Sequence, residues 1–377
     1  MSLLKTYRGF GLEIDRGEDV WIWDTSGRRY LDLYGGHAVC STGHCHPRVV
    51  RAIQEQAARL IFYSNAAGLR LREEAAALLL RHAPAFSAVL FANSGAEANE
   101  NALKLARRHT GRTEVVALRG GFHGRTAGAM SVTGIEKYRK TSEPLVPGAS
   151  FVEPGELPRL TERTAAVILE PIQSMAGVRV APPEYLRALR ELCTRNGTLL
   201  IYDEVQTGIG RTGTMFYAGR HGVTPDLVTL AKGIASGIPL SAVLVPAAVA
   251  DRVQYGEYGA TFGAGPIAMA AMKATLEVVE GLLPQVREVS AHLLERARAV
   301  PGVREVRGEG LLVGLKVAAD AGALQKALLG RGVVVGTADE PGVLRLLPPL
   351  TLRKEHVDHF LEVLRDELEG TVVRHDA

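Results

Sequence analysis

Leu227-Val-Thr-Leu-Ala-Lys-Gly-Ile-Ala-Ser-Gly237 is the stretch from which the rest of the chain is read. Its apolar start reads as a buried strand, and Lys232 stands where that strand ends, followed at once by small residues. A lysine at a buried strand end cannot extend freely into water, so burial lowers its pKa. A neutral amine in a pocket is what Schiff-base chemistry with a carbonyl cofactor requires. Lys232 is also the only lysine between Thr141 and Met272. Taken alone, the stretch reads rather as a strand-end lysine paired with a carboxylate at the surface, and the rest of the chain reverses that reading.

The chain around it has 377 residues, 46% hydrophobic and 23% charged, with a formal net charge of +3. That length allows one large domain or two interlocked ones. The balance gives no argument for nucleic acid or an anionic membrane as partner. Three cysteines (Cys40, Cys45, Cys193) form no disulfide framework and point to a reducing compartment. The N-terminus lacks the apolar core of a signal peptide, and no run approaches membrane-spanning length, so the expected location is cytoplasmic. His44-Cys45-His46 has zinc-ligand residue types. No second pair stands at ligand spacing and Pro47 follows, so the reading is a loop before a helix, with no metal.

From residue 88 onward short apolar runs alternate with helical periodicity. Strands are expected at 88–92, 114–118, 165–169, 198–202, 227–231 and 241–245, with helices at 96–108 and 184–195. Such alternation argues for an α/β fold with a mostly parallel sheet covered by helices. Earlier, 20–24 and 29–33 read as a hairpin, and 47–60 and 71–82 as helices. A helix over 266–280 should break at Gly281-Leu-Leu-Pro284, and a smaller α+β domain should follow. The expected division is 1–45 as a segment joining the small domain, 46–282 as the large domain and 283–377 as the small one.

Asp203 closes the apolar strand 198–202, at the strand end where ligands of parallel sheets bind. Two parallel strands with a crossover of this length can lie close together, which would bring Asp203 towards Lys232. A carboxylate there would keep a pyridine nitrogen protonated and the ring electron-withdrawing. Asn93-Ser94-Gly95-Ala96 lies between a strand and a helix, where free N–H groups and the helix dipole suit a phosphate. Phe122 can stack on a flat ring, and Arg125 and Arg345 can each clamp a carboxylate. Gly208-Ile-Gly210-Arg-Thr-Gly213 has the spacing of a dinucleotide fingerprint. It neither leaves a strand directly nor opens an amphipathic helix, so it argues against a nicotinamide dehydrogenase.

Together these stretches resemble the class III (subgroup II) aminotransferases that use pyridoxal phosphate. The markers are Asn93-Ser-Gly-Ala-Glu-Ala-Asn99, Phe122-His-Gly-Arg-Thr126, Glu170-Pro-Ile-Gln173, Asp203-Glu-Val-Gln206 with the glycine-rich run to Gly213, Leu230-Ala-Lys-Gly233 and Thr261-Phe-Gly263. The resemblance runs from Tyr30 to Arg345. It implies a PLP-dependent transferase of fold type I, with a mostly parallel seven-stranded sheet in the large domain, working as a homodimer with active sites at the subunit interface.

The resemblance also implies roles. Lys232 would hold the cofactor covalently and then move the proton. Asp203 would pair with the ring nitrogen, Val205 and Phe122 would cover the ring faces, and Gln206 would bond the phenolic oxygen. Ser94, Gly95 and Ala96 would hold the phosphate, with Thr261 reaching it from the partner subunit, and Glu204 is counted in the cofactor-binding set. Arg125, Ala260 and Arg345 would meet substrate. The branch most resembled acts on acetylornithine with 2-oxoglutarate. Its near relatives use N-succinylornithine, succinyl-diaminopimelate or acylated lysine-pathway intermediates. Other pyridoxal enzymes, such as decarboxylases or aminomutases, and a dimeric regulatory protein without turnover are the alternatives. Two departures stand out: Ser174-Met175-Ala176 where the family has a glutamate that pairs with the counterpart of Arg345, and Ala260 where it has a serine. An unpaired buried Arg345 is costly, so another partner for it is expected.

Overall fold

The computed structural model describes residues 4–7 and 9–375, without the side chains of 371–375. Three N-terminal strands, β1 (Ile14–Glu18), β2 (Trp21–Asp24) and β3 (Arg29–Asp32), form an antiparallel meander. The central sheet takes β4 (Ala88–Ala92), β5 (Glu114–Leu118), β6 (Ala149–Val152), β7 (Thr164–Leu169), and, after a small ribbon of β8 (Ile172–Gln173) and β9 (Arg179–Val180), β10 (Leu199–Asp203), β11 (Leu227–Leu230) and β12 (Ser241–Val245). Its order is β4-β12-β11-β10-β7-β5-β6. β12 runs antiparallel to both neighbours, and the other pairs are parallel. Every residue of β7, β10, β11 and β12 is buried. That is why these strands are mostly apolar rather than alternating, with Thr164, Asp203 and Ser241 at strand ends and Thr229 inside β11 as polar exceptions.

The covering helices start and stop where their sequences say they should. Ser94 accepts the N–H of Glu97 (3.2 Å) at the head of the helix Gly95–Thr110, and Gly111 ends it at φ 70°. Pro183 opens the helix Pro183–Asn196, and Gly197 closes it at φ 65°. His46, read as part of a loop before a helix, caps Pro47–Arg59 by accepting the N–H of Arg48. C-terminal to these, β13 (Val303–Glu309), β14 (Leu312–Val317), β16 (Gly336–Thr337) and β17 (Val343–Leu346) form a second sheet, ordered β13-β14-β17-β16. β15 (Val333–Val334) leaves that group and pairs in parallel with β3.

One expectation is corrected. The anticipated break at Gly281–Pro284 is absent: one helix runs Pro266–Arg298 with Pro284 inside it. Proline removes one hydrogen bond. Val279 before it and Val286, Val289 and Leu293 after it are all buried, and their packing carries the helix through. The expected large–small boundary at 282 therefore falls within a continuous helix. The connection from β10 to β11 contains no α-helix, only turns and a short 3-10 turn at Arg220–Gly222.

The glycine run Gly208–Gly213 belongs to that connection, and its spacing serves packing. A Cβ on Gly210 (φ 80°) would lie 2.5 Å from Val279 Cγ1 and 2.9 Å from Leu350 Cδ1. Arg211 between the glycines is buried and donates to the carbonyls of Leu311 and Pro348. Gly210→Ala should cost about 2 kcal/mol or more through clash and backbone strain. It should lower the urea midpoint with little change in the denaturant slope; an unchanged midpoint would show that the loop reshapes freely.

Candidate active site

The sheet delivers its functional groups at one end. β10 and β11 are adjacent and parallel, with Asp203 in register with Thr229, and Lys232 follows three residues later. Lys232 adopts φ 42°, a left-handed backbone that a lysine takes only where its surroundings impose it. A cleft of about 480 Å³ opens here, with Asp203, Val205 and Lys232 in its wall. Ser94, Gly95 and Ala96, at the head of their helix, line it as well, and so do Phe122 and Arg125. The first N–H groups of an α-helix have no intrahelical acceptor, so this wall is polarised towards an anion. A Cβ on Gly95 would meet both Val205 methyls at 3.0 Å, so only glycine lets that helix approach so closely.

Asp203 is fixed by a buried network. Its Oδ2 accepts from Asn99 Nδ2 (2.7 Å) and lies 2.8 Å from His123 Nδ1, and its Oδ1 accepts the N–H of Val205 (3.0 Å). Because a carboxylate only accepts, His123 carries a proton on Nδ1. Asn99 also donates to the His123 carbonyl (2.7 Å), and its own Oδ1 accepts from Thr229 (2.7 Å). Asn99, His123 and Thr229 were not singled out from the sequence. Two of them lie inside motifs quoted for the resemblance, which was the available signal.

Burial pushes Lys232 down to about 8, against the opposing pull of the Asp203 and Glu170 charges. Glu170, at the end of β7, is buried and accepts the N–H of Phe122 (2.8 Å). Burial first, and the Asp203 charge second, raise its carboxyl to about 7.

The arginines differ. Arg125 is exposed, with its guanidinium 4.7 Å from the Tyr138 ring centre and 5.7 Å from that of Tyr7. Arg345 is 3% exposed. It donates from Nη1 to Ser174 Oγ (3.0 Å) and from Nη2 to the Tyr34 hydroxyl (3.5 Å), while its Nε is buried without a partner. The expected substitute partner is thus a pair of hydroxyls. Among the described residues no carboxylate forms an ion pair with it.

Glu204 corrects an expectation. Its carboxylate turns away from the cleft and accepts the N–H groups of Tyr217 (2.5 Å) and Ala218 (2.6 Å). That loop needs its buried donors satisfied, and burial raises Glu204 to about 7. Gln206 is half-buried, with Oε1 enclosed and unpartnered. Ala260 and Thr261 are not among the residues lining this chain's cleft, and Thr261 is exposed.

The family model for class-III aminotransferases matches residues 5–368. The chain belongs to that family, and it is a transaminase. The acetylornithine aminotransferase of Methanopyrus kandleri is 43% identical over 98% of this chain and 97% of its own length. That of Streptomyces coelicolor is 44% identical over 96% and 92%. Among solved structures, the ornithine aminotransferase of Toxoplasma gondii ME49 superposes with TM-score 0.92 at 31% identity, covering 99% of this chain and 94% of that one. A PLP-bound amine transaminase from an uncultivated Pseudomonas species gives 0.89 at 30%, covering 98% and 99%. The fold is therefore that of the pyridoxal-phosphate-dependent transferases, as the sequence led us to expect. The family and its PLP-bound neighbour imply pyridoxal phosphate as cofactor.

Lys232 also links stability to pH. Its pKa is lower folded than unfolded, so between about 8 and 10 the unfolded chain binds the extra proton and stability rises with pH. Without cofactor, the wild type should gain stability over that window relative to Lys232→Met in paired urea titrations. Parallel curves would show the amine to be solvated.

Proposed function

We propose that the enzyme moves the δ-amino group of N2-acetyl-L-ornithine to 2-oxoglutarate, giving N-acetylglutamate 5-semialdehyde and glutamate, a step of arginine biosynthesis. The observation that carries this reading is the convergence of Lys232, Asp203 and an anion-binding helix start on one cleft. The residues present fit pyridoxal phosphate. Ser94, Gly95 and Ala96 would take its phosphate, Val205 and Phe122 its ring faces and Asp203 its ring nitrogen. Gln206 would bond the phenolic oxygen through its amide. When bound, the cofactor supplies an electron sink for the carbon that loses its proton.

The protein's own share is positional. Lys232 Nζ, its proton affinity lowered by burial, takes and returns that proton. Asn99 and His123 hold the Asp203 carboxylate still beside it. Arg345 and Arg125 receive the substrate carboxylates, one buried and one at the open mouth, with Ala260 beside the substrate.

The same reading makes the enzyme a homodimer with Thr261 of one subunit completing the phosphate site of the other. Leu60, Ile61, Phe62, Tyr63, Tyr255 and Phe262 are exposed apolar side chains, and Phe62 and Phe262 stack at 5.3 Å next to Thr261. Monomers rarely expose such groups together. The parallel pairing of β15 with β3 supports assigning residues 1–45 and 283–377 to one small domain beside a cofactor domain of 46–282. Free Cys40, Cys45 and Cys193 suit a cytoplasmic setting.

Glutamate formation from 2-oxoglutarate should be fastest in kcat/KM with N-acetylornithine, ahead of N-succinylornithine, succinyl-diaminopimelate and ornithine. A preference for another donor of tenfold or more would reassign the substrate. Lys232→Ala should lose on the order of a thousandfold in kcat. Sedimentation should give a dimer, and Phe62→Asp with Phe262→Asp should shift it to monomer and weaken cofactor retention; a monomeric wild type with full activity would remove the interface site.

A further inference from the structure

Arg345 is held by neutral groups alone. Its Tyr34 partner accepts from Nη2, so the single proton of the Tyr34 hydroxyl must go elsewhere. With His37 Nδ1 unprotonated, that proton is donated to it: Tyr34 Oη lies 2.6 Å from His37 Nδ1. In this arrangement His37 accepts at Nδ1 and is neutral, which also avoids a second cation facing the guanidinium. Burial and the nearby Arg345 and Lys232 charges hold its pKa down in the same sense.

His37 reaches that position by an unusual backbone. Gly35, Gly36, His37 and Ala38 have φ of 55°, 58°, 67° and 66°, one turn of left-handed helix. Two of the four carry a Cβ, for which this conformation is strained. A Cβ on Gly35 would stand 2.6 Å from the Leu347 carbonyl, so the turn is pressed against the chain just beyond Arg345. Val39, directly after the turn, lines the cleft, as does Tyr7, whose ring centre lies 6.0 Å from that of His37. Observed strain beside a binding site is a reason to look for function in the strained residue.

We propose that His37 is a positioning residue for the acceptor substrate: through Tyr34 it keeps the Arg345 guanidinium oriented and uncommitted, ready for a carboxylate of the 2-oxo acid. Ser174 completes the arrangement from the other side, and Met175 beside it brings no charge that would compete. The inference rests on the reading that Arg345 receives substrate carboxylate.

The test uses holoenzyme and variants that tolerate a left-handed backbone. His37→Gly removes the acceptor without adding strain, and His37→Asn places an amide oxygen near the site of Nδ1. His37→Gly and Tyr34→Phe should each raise the KM for 2-oxoglutarate roughly tenfold, the scale of one hydrogen bond to a charged group, with kcat changed less than about twofold. His37→Asn should recover most of the loss. The double variant His37→Gly with Tyr34→Phe should be no worse than either single change, because both cut one chain of contacts. Equal losses in kcat for His37→Gly and His37→Asn, with KM unmoved, would show a merely structural turn and overturn the proposal. Arg345→Met separates the two readings. If it leaves the 2-oxoglutarate KM unchanged, the carboxylate assignment itself falls. If it raises that KM while His37→Gly and Tyr34→Phe do not, only the role of His37 falls.

Discussion

A half-buried amine and a buried carboxylate at the ends of two neighbouring parallel strands are the constraint around which this protein is built. Neither group is cheap to bury. Lys232 answers with a lowered proton affinity, and Asp203 with hydrogen bonds to most of its oxygen lone pairs. The register of β10 against β11 sets their approach, and Asn99 locks it. That one side chain joins the helix Gly95–Thr110 to Asp203 at the end of β10, to Thr229 in β11 and to the backbone of His123. The helix start at the cleft, the carboxylate and the lysine-bearing strand thus form one unit. Displacing any member leaves buried polar groups unpaired, which is the costly outcome.

Much of this was legible in the sequence, for identifiable reasons. Strands buried on both faces hide few polar residues, so β7, β10, β11 and β12 show as mostly apolar runs. Ser94 and Gly111, and Pro183 and Gly197, mark helix ends by local chemistry alone. Lys232 and Asp203 stood out because each interrupts such a run where the sheet meets a ligand. What escaped was non-local or directional. The apolar run of β12 does not say which way it points, and β1 is a largely exposed strand with no apolar signature. Glu204 and Asp203 are neighbours in sequence, yet the first satisfies a distant loop and the second faces the cleft. The Asn99–Asp203 contact spans 104 residues, and no periodicity reports it. Nothing local shows that His37 and Ala38 continue the left-handed turn begun at Gly35 and Gly36.

The two arginines carry unequal electrostatics: Arg125 lines the cleft, and Arg345 lies outside its lining residues. Arg125 lies in water against aromatic rings, where a charge pair is screened and of modest strength. Arg345 lies in the interior, hydrogen-bonded only to hydroxyls, with the Glu170 and Asp339 charges acting on it without direct ion pairs; there a ligand carboxylate gains a stronger attraction than it would in water. A ligand carboxylate is therefore worth more at Arg345 than at Arg125. Hydroxyls in place of an internal carboxylate sharpen that contrast. A fixed carboxylate would neutralise Arg345 whenever substrate is absent, and an incoming acid would have to displace it. With Ser174 and Tyr34 there is nothing charged to displace, so the difference between the filled and empty states of Arg345 is set by the substrate alone.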